Sequence, residues 1–169
     1  MKLIIINGPS GIGKSTVATR LCHHIPSSFL VDVDELRREM PDYRERRAES
    51  LSFAYERTRE IIDEELNRGH DVIIDKTISS AGVLDSFIER GKRHGAEIFE
   101  ILLFAEKEVV HKRADDRGYR LGGLLTSEKV DELWEKMNAL RKQRSEAIVI
   151  DTANIHSEEL FQKIKAIIA

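Results

Sequence analysis

Cysteine is close to absent. Cys22 is the only one in the 169-residue chain, so no disulfide can form within it. It falls with Val17, Ala18, Leu21 and Ile25 on the apolar side of a helical pattern, which predicts a buried core thiol rather than a reactive one. Long hydrophobic runs are missing too. One lysine and the run Leu3-Ile4-Ile5-Ile6 precede the first polar residues, too little for a secretory leader. No run approaches the ~20 residues of a membrane span. The expectation is a cytoplasmic protein that makes no membrane contact. A strong charge of one sign is also lacking. The net charge of −3 gives no global reason to expect a nucleic-acid or acidic-membrane partner. The six histidines show no metal-ligand spacing. Repeats, low-complexity segments and linkers are absent, so residues 1–169 are expected to form a single domain, monomeric or a homodimer.

What is present is an alternation of strand and helix signals. Apolar runs occur at 3–6, 29–33, 71–75, 98–104 and 147–151. Most lack polar–apolar alternation, as strands covered on both faces should. Between them lie helical patterns over about 14–24, a short one after Asp34, one reaching Gly69, then 80–94, 106–116 and 127–145, and a last one starting at Ser157. Leu51, Ala54, Tyr55, Thr58, Ile61, Ile62 and Leu66 share one face of the third. Five strands joined by helical crossovers predict an α/β fold with a parallel sheet covered on both faces. In such sheets ligands bind beyond the carboxyl ends of the strands.

Directly after the first apolar run stands Gly8-Pro9-Ser10-Gly11-Ile12-Gly13-Lys14-Ser15, the pattern G-x-x-x-x-G-K-S. This pattern makes a phosphate-binding loop. Its glycines let successive N–H groups close on phosphate oxygens, and the helix that follows presents an anion-favouring N-terminus. Gly8, Ser10, Gly11, Ile12, Gly13, Lys14, Ser15 and Thr16 are therefore the candidate nucleotide contacts. Lys14 would reach the β- and γ-phosphates and Ser15 would hold Mg²⁺.

The other strand ends supply the remaining candidates. Asp34 is the candidate base toward an acceptor hydroxyl; it is also placed to cap a helix, and both roles can hold. Asp32, on the same side of the strand, is the second choice. Asp75 ends Val72-Ile73-Ile74 and is assigned to the metal with Ser15. Lys76 and Thr77 are placed toward the acceptor. Arg113, Arg117 and Arg120, with Gly118, Gly122 and Gly123, read as a mobile lid over about 113–126 that stabilises the transferring phosphoryl. The other reading of these arginines is a solvated helix face paired to Asp115 and Asp116. The arginine-rich stretch 37–47, which includes Arg37, is either an anion site on the acceptor or an ordinary charged surface.

With these residues placed, the chain resembles the small P-loop kinases of the shikimate kinase, gluconate kinase and chloramphenicol phosphotransferase group. The resemblance runs through Ile4-Ile5-Ile6-Asn7-Gly8, Gly13-Lys14-Ser15, Val33-Asp34, Met40-Pro41, Ile73-Ile74-Asp75, Arg117-Gly118-Tyr119-Arg120 and Ile150-Asp151-Thr152. It implies a three-layer P-loop NTPase sandwich with strand order 2-3-1-4-5. It implies ATP with Mg²⁺ as cofactors, and Asp34 as base toward the hydroxyl of a small molecule. It also implies that Thr152 and Asn154 lie near the adenine. The segment 35–68 would shape the acceptor pocket, and there the chain departs from the chloramphenicol enzyme. Asp34-x-x-Arg37, Asp75 and the Arg113/Arg117 pair are similar also to polynucleotide 5′-hydroxyl kinases, in which the arginine matching Arg37 binds a substrate phosphate. A nucleic-acid end is thus the rival acceptor. An ATP-binding regulatory module without acceptor is the alternative of a different class.

Overall fold

The computed structural model describes residues 1–116 and 126–169. The elements run β1 (Lys2–Asn7), α1 (Lys14–His24), β2 (Ser28–Asp32), α2 (Val33–Arg38), α3 (Arg47–Asn67), β3 (Asp71–Asp75), α4 (Ala81–Arg93), β4 (Glu97–Phe104), α5 (Lys107–Asp116), α6 (Ser127–Gln143), β5 (Ile148–Asp151) and α7 (Ser157–Ile167). The strands form one five-stranded sheet in the order β2-β3-β1-β4-β5, every neighbouring pair parallel. This is the expected order.

The unbroken apolar run of β1 is explained by the two layers. Ile4 and Ile6 join Val17, Leu21, Val110, Leu160 and Ile164 in the core beneath α1, α5 and α7. Leu3 and Ile5 point the other way, to Ala54, Ile62, Leu66, Leu84, Phe87 and Met137 of α3, α4 and α6. Successive side chains face opposite layers and both layers are apolar, so no alternation survives. β2 and β5 are the sheet edges, and each carries a partly exposed apolar residue, Phe29 and Val149. Cys22 is half-buried against the first core, with its sulfur 3.8 Å from the Ser28 carbonyl.

The start of α2 differs from the sequence reading. Val33 belongs to α2, not β2, because the chain turns helical one residue earlier. The cap of α2 is Asp32, whose extended backbone (φ −87°, ψ 101°) lets its carboxylate accept from the amides of Asp34 and Glu35. Asp34 therefore sits inside the first turn and is relieved of capping. In α7, Ser157 is the first helical residue and His156 occupies the cap position without a side-chain bond. Among the described residues no helix is long and apolar enough to cross a membrane.

Candidate active site

The carboxyl ends of β1, β2 and β3 meet where the strand order turns back on itself, with β1 flanked by β3 and β4. The loop from Gly8 to Gly13 lies there. Gly8 (φ +146°) passes so close to β4 that a Cβ would fall 2.3 Å from the Leu103 carbonyl oxygen. Gly13 (φ +101°) is the cap residue of α1 and offers no side chain to its first turn. The leading amides of α1 are thus left for an anion, at the positive end of the helix dipole. Lys14 is buried inside the loop, its ammonium donating to the Pro9 carbonyl at 2.8 Å. A glycine cradle, uncapped amides and a buried ammonium fit a polyphosphate.

Asn7 fastens this loop to the acceptor side. It is buried, its amide donates to the Ile78 carbonyl at 2.9 Å, and its Oδ1 accepts from the amides of Gly8 and Ile78, each at 2.8 Å. Thr77 adds a second fastening, its hydroxyl donating to the Gly8 carbonyl at 2.8 Å. Thr77 is therefore directed at the phosphate loop and not at the acceptor. The sequence reading gave no role to Asn7, whose distant partner Ile78 lies in the segment after β3 and is brought alongside only by the fold.

Asp75 is buried beside the loop and pairs in register with Ile6 on one side and Asp32 on the other. Burial pushes its carboxyl above the ordinary aspartate value. A hydrogen bond from Ser15 and the charge of Lys14 oppose that rise, while Asp32 and Asp34 reinforce it. A hydroxyl and a carboxylate facing each other at the mouth of a phosphate loop are a donor set suited to a hard divalent cation. Among the described residues no group of three or more His, Cys, Asp and Glu forms a metal cage.

In the first turn of α2, Asp34 is half-exposed and receives two cations on one oxygen. The Lys76 ammonium donates to Oδ1 at 2.5 Å, and an Arg37 Nη1 lies 3.6 Å from the same atom. Burial raises the Asp34 carboxyl, but Lys76, through its charge and hydrogen bond, and then Arg37 and Lys14, bring it below the ordinary value. Arg37 itself is anchored, donating to the hydroxyl of fully buried Ser50 and to the Arg47 carbonyl. This holds α2 against α3. Tyr55 of α3 packs edge-on to Phe87, and its phenol is pushed up to about 12, first by burial and then by the Asp34 charge. Tyr55 was expected only as a core-facing residue of α3.

The third part of the site is a cleft of about 180 Å³ lined by Ile12, Gly13, Thr16, Val17, Arg113, Ile155, Ser157 and Leu160. Arg113 reaches across from α5 and donates to the Thr152 hydroxyl (3.1 Å) and to the carbonyls of Thr152 (2.6 Å) and Ala153 (3.3 Å). Its guanidinium thus braces the loop after β5 instead of pairing with Asp115 or Asp116. The Thr152 hydroxyl is itself committed, donating to the Phe104 carbonyl at 3.2 Å. Thr152 is buried and Asn154 exposed, and neither lines the cleft. Arg117 and Arg120, with the glycines of the expected lid, lie outside the described residues.

Known structures with the same architecture include several kinases. The chain is similar to a tunicamycin resistance protein of Deinococcus radiodurans, at 22% identity and TM-score 0.67, covering 99% of this chain and 95% of that one. It is similar to a gluconokinase from Sinorhizobium meliloti 1021, at 16% identity and TM-score 0.69, covering 98% and 90%. It is also similar to part of the Pnkp1/Rnl/Hen1 RNA repair complex, at 24% identity and TM-score 0.64, covering 84% of this chain but 45% of that one. At such identities the likeness is one of fold. No curated protein matches the chain in sequence. The sequence model of the AAA domain matches residues 3–143, and the chain belongs to that family.

Proposed function

We propose that this chain is an ATP-dependent kinase that moves the γ-phosphoryl group to a hydroxyl of a small molecule. The observation that carries this reading is a convergence at the carboxyl ends of β1, β2 and β3, where Asp75 stands in register between Ile6 and Asp32. The Lys14 charge acts on both Asp75 and Asp34, so the phosphate loop, the metal-side carboxylate and the acceptor-side carboxylate converge on one place. Bound ATP·Mg²⁺ would supply the phosphoryl group and the charge that offsets its oxygens. Lys14 and the uncapped amides of α1 would hold the phosphates, and Ser15 and Asp75 the cation. The cleft over Gly13 and Thr16 would take the nucleoside. Asp34, ionised at neutral pH, would orient the acceptor hydroxyl and receive its proton as the new bond forms. Arg117 and Arg120 are proposed to close over the reacting phosphoryl. Most of the acceleration is then positioning and charge stabilisation.

Nucleic-acid ends are the competing acceptor, favoured by the likeness to part of an RNA repair complex. Against it stand the net charge of −3 and the pairing of Arg38, Arg46 and Arg57 with neighbouring glutamates. Strand binding rests on basic groups left available to phosphates. The test is transfer from γ-labelled ATP to a panel of hydroxyl compounds beside a 5′-hydroxyl oligonucleotide. Label on a small molecule supports the proposal. Label on the oligonucleotide replaces the acceptor class, and ATP binding without transfer to either leaves a regulatory module.

A further inference from the structure

We infer that Lys76 is a positioning residue that fixes the Asp34 carboxylate through Oδ1 and leaves Oδ2 to receive the acceptor hydroxyl. The inference rests on the role proposed above for Asp34. Lys76 and Arg37 approach the same oxygen, Oδ1, from two different segments. Oδ2 accepts no hydrogen bond among the described residues, and the Asp34 side chain is 54% exposed while Lys76 is only 11% exposed. A carboxylate with one oxygen pinned and the other accepting no hydrogen bond among the described residues has a single way to present itself. One clamped by neither cation would rotate about its last bond, which is soft and broad.

Lys76 is itself rigidly placed. Its backbone amide donates to the Ile6 carbonyl at 3.4 Å, and the next two residues are tied to the phosphate loop through Thr77 to Gly8 and Ile78 to Asn7. The ammonium therefore stands at a fixed distance from the loop that holds the phosphoryl donor. It couples the placement of Asp34 on α2 to that loop, although the two segments are 42 residues apart in sequence. Misplacing a reacting group by about 1 Å costs on the order of a hundredfold in rate.

The charged groups that act on Asp34 are Lys76 after β3, Arg37 on α2 and Lys14 on α1; its own charge reaches the phenol of Tyr55 on α3 and the carboxylate of Asp75 at the end of β3, and the Asp32 carboxylate accepts from its backbone amide. Arg37 is 3.6 Å away and committed to Ser50, so it does not replace Lys76 when the ammonium is removed.

The test reads Asp34 directly. Carbon-13 carboxyl shifts, with Asp34 assigned by its loss in Asp34→Asn, are followed against pH in the wild type, Lys76→Met and Lys76→Arg. Lys76→Met is expected to raise the Asp34 midpoint by about one unit, a tenfold change in proton affinity, and Lys76→Arg to restore it. A wild-type midpoint at or above about 3.9, or one unmoved by Lys76→Met, overturns the inference. If Lys76→Met does not fold, the wild-type and Lys76→Arg midpoints still decide. The second arm measures transfer to the hydroxyl compound that takes label in the panel. Lys76→Met should lower kcat about 10–100-fold, within the range of general-base contributions. The KM for ATP should stay within about twofold, and the loss should vanish in the Asp34→Asn background. An additive loss there overturns the inference. Absence of any acceptor sinks the proposed function instead, and the carboxyl titration still decides whether Lys76 holds Asp34.

Discussion

Replacing Asn7 by alanine is the sharpest probe of how the phosphate loop is held. The side chain satisfies three buried backbone groups: the amide of Gly8, and both the amide and the carbonyl of Ile78. Ile78 is fully buried and Asn7 nearly so, so water cannot take over without opening the structure. Each orphaned group costs about 1–3 kcal/mol, which gives about 3–6 kcal/mol for the three after partial relaxation. Against a total stability of about 5–15 kcal/mol that is a large fraction. With a urea slope of about 2 kcal/mol/M, the unfolding midpoint should fall by about 1.5–3 M at unchanged slope. Far-ultraviolet circular dichroism in a urea titration reads it. Asn7→Asp separates the bonds. It keeps both accepted bonds but turns a carboxylate oxygen toward the Ile78 carbonyl, and its loss should shrink at low pH, where the protonated group donates as the amide did. A midpoint shift below about 0.5 M for Asn7→Ala, about 1 kcal/mol, would refute the claim that this residue carries the junction.

Other expectations follow from the same geometry. Lys14→Ala should abolish transfer and weaken ATP binding by isothermal calorimetry; a variant that still binds and turns over normally would remove Lys14 from the site. Asp34→Asn should spare ATP binding and lower turnover about 10²–10⁴-fold, and full activity would end its role as base. The two acids should respond to pH with opposite sign. Asp34 lies below its unfolded value, so its contribution is present at neutral pH and lost as the pH falls through its folded midpoint. Asp75 lies above its unfolded value, so ionising it costs stability at neutral pH. Asp75→Asn should therefore melt no lower than the wild type at pH 7 in the absence of nucleotide, the gap closing as the pH drops; a clearly lower melting point contradicts this. Arg113→Ala should raise the KM for ATP several-fold by releasing Thr152 and Ala153, and an unchanged KM would separate that brace from the nucleoside cleft.

The nucleotide half of this site is legible because its determinants are contiguous. Eight consecutive residues state where glycine must sit, where the helix begins and which cation is enclosed, and the four apolar residues before them place the loop at a strand end. The strands are legible for a related reason. Leu3 to Ile6 and Val72 to Ile74 are apolar without interruption, which only a sheet covered on both faces requires. The start of α2 is less so. Asp32, Asp34 and Glu35 are all chemically able to cap, and only the extended backbone at Asp32 selects it, which in turn releases Asp34 for other work.

The acceptor half resists reading because its bonds are long in sequence and short in space. Lys76 meets Asp34 across 42 residues, and Asn7 ties the phosphate loop to Ile78 across 71. No local periodicity encodes a partner at such distances; it is fixed by which strands lie side by side. The residue after Asp75 reads as a position toward the acceptor, with no partner named, until β3 is placed next to both β1 and β2. It then becomes the one ammonium able to touch the helix after β2 from the segment tied to the phosphate loop. Sequence thus announces the donor side of the chemistry, and topology builds the acceptor side. Under the proposed function, the choice of acceptor is therefore expected to rest on Tyr55, Arg37 and Lys76 together, residues that come from α3, α2 and the segment after β3.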